Sequence, residues 1–308
     1  MFGFNDKTLD TTHENQGLAV TLEELMMQQK YLPYMSYLNN SRTTNSPGGN
    51  KSAFKGRGME FEEVRAYTFG DDVRDIDWRV SARKPEPYTK IFKEEKDREI
   101  VVVLDLSASM VFGTRNELKT VTAAKVAALL GWITLKHNDR FGMLLFDGKN
   151  TTYFKPRNDT RNLVNIFTQV AAKTKEVLVE QHHNDISQAL KMLQMHQKGE
   201  GTVFILSDFH NFGNDKFPQI SILAKKHQVC CINIFDVLEE IAPQNGVYAA
   251  QYNSQKAVFD TGVADFKLSY QEHFRRLRED LRQNCQKLLC KYIEVRTDVP
   301  IFKQLTAL

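Results

Sequence analysis

Two short strings place oxygen donors directly after apolar runs. Asp105-Leu106-Ser107-Ala108-Ser109 closes the β-branched run that begins at Glu99, and Ser207-Asp208 closes the run that begins at Thr202. In an open α/β sheet, ligands gather at the carboxyl ends of parallel strands. Alternate residues just past such a strand can turn one carboxylate and two hydroxyls into the same small volume. Asp208 adds a second carboxylate at an equivalent height. A few carboxylates with hydroxyls and water suit Mg²⁺ or Mn²⁺, which keep much of their hydration shell and accept a further oxygen from a partner. Ser107 and Ser109 are also candidates for capping the helix that follows, a role compatible with the first.

Other chemistries are less well served. A phosphatase attacking through Asp105 would want a second acid two residues on, where Ser107 stands. Ser107 lies between leucine and alanine, without the flanking glycines of a nucleophile elbow. His182 and His183 have no helix-spaced histidine or cysteine partner for zinc, and His196 and His210 read as isolated. Gly56 and Gly58 supply only half of a dinucleotide-binding glycine pattern, with no strand before them, and there is no phosphate-binding loop of the G-x-x-x-x-G-K-[ST] type.

The elements that must position these residues follow from periodicity. Strands are expected at 99–105, 141–146, 151–155, 202–208 and 229–235, alternating with helices at 116–136, 160–172, 185–197 and 215–227. Such alternation specifies an α/β layered fold with a parallel sheet and right-handed crossovers. The tail adds strand candidates at 247–252 and 257–259, an amphipathic helix over 265–290 read as core packing, and a last strand at 291–296. Near the start, Thr21 and Glu24 form a capping box for a short helix that Pro33 is expected to end. Residues 39–58 are rich in turn formers and read as a flexible loop. Three segments result: a helix and loop over 1–58, a charged module over 59–97 packed on the main domain, and the α/β domain over 98–308.

Composition narrows the function classes. The 308 residues carry a formal charge of +3, far from the basic excess that nucleic-acid binding demands. No apolar run approaches the ~20 residues of a membrane helix, and the first ten residues lack the form of a signal peptide, so a cytoplasmic protein is expected. Cys230, Cys231, Cys285 and Cys290 form no C-x-x-C pair and read as reduced, structural thiols, the first two pointing to opposite faces of a strand. In the charged module, Asp72, Arg74, Asp77, Trp78 and Arg83 are candidates for partner binding, because a large aromatic among charged neighbours suits an interface anchor. A buried ion-pair network holding the module in place is the alternative.

The string Asp105–Ser109 together with Leu206-Ser207-Asp208 resembles the metal-ion-dependent adhesion site of von Willebrand factor A domains. The stretches 56–83 and 94–114 more closely resemble the bacterial DUF58 proteins. The resemblance implies a von Willebrand A-like (Rossmann-like) α/β domain, a smaller charged module before it, and an association with MoxR-type AAA+ ATPases in assembly, chaperone-like or metal-insertion processes. It carries Asp105, Ser107, Ser109 and Asp208 onto the metal loops, with a Mg²⁺ or Mn²⁺ cofactor. Asn184 stands where the family pattern has threonine; its amide oxygen can ligate a metal but offers no hydroxyl. Three readings stay open: a non-enzymatic protein-interaction module acting through a metal, the same fold with an inert metal loop and contacts through residues 60–83, and a hydrolase using Asp105.

Overall fold

The computed structural model describes residues 17–34, 59–94, 97–183, 186–197, 199–210, 217–252 and 255–305. Asn184 and the 39–58 loop lie outside the described residues. The chain divides into two compact units, residues 40–97 and residues 1–39 with 98–308.

The smaller unit contains an antiparallel pair, β1 (Met59–Ala66) and β2 (Tyr88–Glu94). Between them lie a 3₁₀ turn over Val73–Asp75 and the single-turn helix α2 (Trp78–Ser81). Asp72 caps the first by accepting from the Arg74 amide at 2.9 Å, and Asp77 caps the second by accepting from the amides of Arg79 and Val80. These short polar side chains stand at helix starts, where free amides need acceptors.

The larger unit is a six-stranded sheet in the order β10-β7-β6-β3-β4-β5. Its strands are β3 (Glu99–Asp105), β4 (Arg140–Phe146), β5 (Thr151–Arg157), β6 (Gly201–Ser207), β7 (His227–Phe235) and β10 (Lys291–Arg296). Only β5 runs antiparallel, at one edge. An antiparallel hairpin, β8 (Val247–Tyr252) with β9 (Gln255–Asp260), pairs on its own.

The central strands are apolar on both faces because both are covered. Ile100, Val102 and Leu104 enter one core, while Val101 and Val103 enter the other. Cys230 and Cys231 divide in the same way, as alternation along a strand requires. The first core is closed by α3 (Lys119–Lys136) and α4 (Thr160–Val179); the second involves α5 (Ser187–His196), α6 (Phe217–Ala224) and the C-terminal half of α7 (Ala264–Lys287). A one-turn helix, α8 (Ile301–Gln304), follows β10.

Three expectations change. The N-terminal helix α1 (Leu22–Met27) has the Thr21–Glu24 capping box but forms no segment of its own: Leu25 is fully buried in the first core, and its carbonyl accepts from Trp132 Nε1 at 3.2 Å. Pro33 does not end the α-helix, which stops at Met27 and continues as a 3₁₀ turn through Tyr34. The apolar stripe of α7 is only partly core: Leu281 and Cys285 are buried, whereas Leu268 is 66% exposed.

One glycine bears directly on the sheet rim. Gly148, in the β4–β5 turn, has φ +85°, and an added Cβ would lie 2.2 Å from the His182 carbonyl oxygen. That same carbonyl accepts from the Ala108 amide at 3.0 Å, so the close approach ties the 182 loop to the segment after β3. Gly148→Ala is expected to destabilise the protein by about 2 kcal/mol or more through left-handed strain and displacement of His182. A denaturant midpoint equal to wild type would contradict this packing.

Candidate functional site

The chain leaves β3 for β4 on one side and returns through β6 on the other, so the carboxyl ends of β3 and β6 form the switch point of the sheet. Asp105 ends β3 and is only 4% exposed. Its Oδ1 accepts from the Ser107 amide at 2.9 Å, and its Oδ2 accepts from the Ser207 hydroxyl at 2.6 Å. The Ser207 oxygen in turn accepts from the Phe209 amide at 3.0 Å. Phe209 itself has φ +55°, a left-handed turn that redirects the backbone straight after Asp208.

Asp208 follows β6. Its Oδ1 accepts from the Ser109 hydroxyl at 3.1 Å and from the His210 amide at 3.0 Å. Its Oδ2 accepts from Lys119 Nζ at 2.8 Å. The structure therefore gathers Asp105, Ser107, Ser109 and Asp208 at one rim: the β3 loop reaches Asp208 through Ser109, and the charge of Asp208 acts on Asp105. Asn184, the fifth expected ligand, lies outside the described residues.

Lys119 was missed by sequence reasoning. It opens α3, is fully buried, and places its ammonium 2.8 Å from both Asp208 and Glu239. Glu239 accepts from the Asp236 amide with its other oxygen, completing a capping box after β7. A lysine at the head of a largely apolar helix and the D-x-x-E string at 236–239 were the available signals. His210 is also not isolated: ligand atoms of Asp208, His210 and Glu239 lie within 4.8 Å of one another. His182 pairs with Glu180 at 3.2 Å instead of with a metal-ligand set.

The electrostatics divide the two aspartates. Burial, reinforced by the negative charge of Asp208, pushes Asp105 up to about 6. Burial would raise Asp208 as well, but the charge and hydrogen bond of Lys119, together with His210 and its amide, outweigh it and hold that carboxyl below its usual range. For Lys119, burial opposes the charge, and Asp208 and Glu239 more than restore it. The fold thus binds a proton at Asp105 more tightly than the unfolded chain does. That contribution is present at acid pH and is lost as pH rises through about 6, a cost on the order of 3 kcal/mol at neutrality. An uncompensated buried carboxylate of this kind wants a cation.

Residues 63–280 match the family described as Protein of unknown function DUF58. The chain is a DUF58 protein. It is similar to Uncharacterized protein Rv1480 of Mycobacterium tuberculosis, with 28% identity over 199 residues, 65% of this chain and 62% of that relative's length. Among solved structures, it is similar to the conserved hypothetical protein BatB from Bacteroides thetaiotaomicron, at 15% identity and TM-score 0.41, covering 68% of this chain and 96% of that one. A von Willebrand factor type A structure from Catenulispora acidiphila matches 48% of this DUF58 chain and 35% of its own, at 14% identity and TM-score 0.31. No helix among the described residues is long and apolar enough to cross a membrane.

Within the smaller unit, the expected partner-binding residues take two roles. Asp72 and Asp77 serve as caps, and Asp77 also lies 3.5 Å from Lys90. Trp78 is 68% exposed, and Arg74 and Arg83 are also exposed.

The buried triad of Lys119, Asp208 and Glu239 yields a direct test. Lys119→Met leaves two carboxylates without their shared cation, and a loss of about 3–5 kcal/mol is expected at pH 7 without added metal. Because Asp208 is held low in the fold, this loss should shrink as pH falls through the acid range and Asp208 protonates. Urea denaturation at pH 7 and pH 4 reads both; a pH-independent difference would contradict the assignment.

Proposed function

We propose that this DUF58 protein is a non-enzymatic interaction module whose contact point is a divalent cation at the β3–β6 rim. The observation that carries this reading is the charge balance there: the ammonium of Lys119 pairs with Asp208 and Glu239 and leaves Asp105 without a cation among the described residues, so these four groups keep two negative charges when all are ionised. The remaining donors are hard oxygens, the hydroxyls of Ser107 and Ser109, and this set fits Mg²⁺ or Mn²⁺ better than a thiophilic metal. Asp105, Ser107, Ser109 and Asp208 would hold the ion, with Asn184 as a further ligand from the neighbouring loop. The bound cation would supply an open coordination position that a carboxylate of a partner protein completes. Lys119 keeps Asp208 ionised and stationary, while Ser207 and the Ser107 amide orient Asp105.

The partner implied by the family resemblance is a MoxR-type AAA+ ATPase or its client, in a cytoplasmic assembly or chaperone-like process. A second reading uses the smaller unit instead, and the exposure of Trp78 and of Phe69, at 105%, favours it as a contact surface.

Adding Mg²⁺ or Mn²⁺ at millimolar concentration is expected to raise the melting temperature of the wild type by several degrees, as a ligand of the native state must. Partner capture should require that metal and be lost in Asp105→Ala. No thermal shift, with capture indifferent to chelator and to Asp105→Ala but abolished by Trp78→Ala, would overturn the first reading in favour of the second.

A further inference from the structure

Beside the rim, and separate from the donors of the β3 loop, a cavity of about 290 Å³ opens between the ends of β6 and β7 and the α7 helix. We infer that it is a binding site for an organic cation, an ammonium or guanidinium group carried on an apolar stem.

The decisive atom is Asn233 Oδ1. Asn233 is 3% exposed, lines this cavity, and its amide oxygen has no hydrogen-bond partner. The surrounding network sets its orientation. Tyr292 spends its hydroxyl proton on Glu294 at 2.9 Å, so its oxygen accepts from Asn233 Nδ2 at 3.2 Å, and Oδ1 is left without a donor. A buried acceptor in this condition costs about 1–3 kcal/mol, which a ligand N–H would recover.

The rest of the lining asks for the same ligand. Asp208 and Glu239, which share the one ammonium of Lys119 and so keep a net negative charge between them, stand with His210 at one end of the cavity. At its edge, the exposed carboxylate of Asp280 makes no ion pair with any described residue. The cation already in the wall, Arg278, is committed elsewhere: it donates to the Glu239 carbonyl at 2.8 Å and lies 4.9 Å from the centre of the Phe235 ring. Phe235 and Phe274 supply aromatic surface, which suits both an apolar stem and a cationic head. An anion would meet carboxylates, and a wholly apolar ligand would leave Asn233 unsatisfied.

The ligand chemistry is shared by a free amine and by a lysine or arginine side chain presented by a partner, and the experiment separates them. Calorimetric titrations in EDTA, which make the outcome independent of any metal at the rim, would use phenethylamine, its neutral counterpart 2-phenylethanol, and a capped peptide containing either one lysine or norleucine in its place. Phenethylamine is expected to bind at least tenfold more tightly than 2-phenylethanol. Asn233→Ala should weaken it about tenfold and Asp280→Asn about threefold; Asp280 is exposed and without a fold partner, so its variant reads binding even if Asn233→Ala unfolds. Preference for the lysine peptide over both the norleucine peptide and the free amine assigns the site to a partner's side chain, whereas binding of the amine alone assigns it to a small molecule. Equal binding of amine and alcohol, or amine binding unchanged by Asp280→Asn and by any folded Asn233 variant, would overturn the inference.

Discussion

The rim of this sheet is organised around one buried ammonium. Lys119 reaches from the head of α3 to carboxylates that follow two different strands, Asp208 after β6 and Glu239 after β7. Three crossover loops are thereby fixed to a single charge in a water-poor setting, where an unpaired member would be severely penalised. Everything proposed for the site depends on this arrangement. With Lys119 in place, Asp208 is ionised and aimed, Ser109 has an acceptor, and the burden of negative charge falls on Asp105.

A second buried acid supports the same loops from outside the site. Asp236 accepts from both the amide and the hydroxyl of Thr114, from the Leu238 amide, and from the hydroxyl of Thr297. These bonds join the segment leading into α3 to the ends of β7 and β10. Burial alone would raise this carboxyl, and the bonds more than offset it, so Asp236 stays ionised with its charge spent on scaffolding. Asp105 has no cation among the described residues and retains an elevated proton affinity. This contrast between saturated acids and one strained acid is what marks a site rather than a brace.

Much of this was legible in the sequence because the central strands are read by local pattern. The unbroken β-branched run ending in Asp105 specified a strand covered on both faces, and the donors directly after it could point only to the rim. The alternation of strand and helix gave the α/β layering. What local pattern does not encode is pairing across distance. Lys119 sits 89 residues from Asp208 and 120 from Glu239, and a lysine at a helix start reads as solvated until the fold closes over it. The same reason hid the place of α1, whose few apolar residues look too sparse for a core element but fill a gap beside Trp132. His210 looked solitary for want of a sequence neighbour, and the orphaned acceptor on Asn233 became visible only once the Tyr292 proton could be traced.

The central claim is that Asp105 and Asp208 hold one divalent cation that competes with a proton on Asp105. Equilibrium Mn²⁺ binding, followed by the loss of the free-ion signal in electron paramagnetic resonance, tests it most directly. One ion per chain is predicted at pH 7.5, with clearly weaker binding at pH 5 and none in Asp105→Asn. An undiminished Mn²⁺ signal at millimolar metal and pH 7.5, or binding that survives Asp105→Asn unchanged, would contradict it.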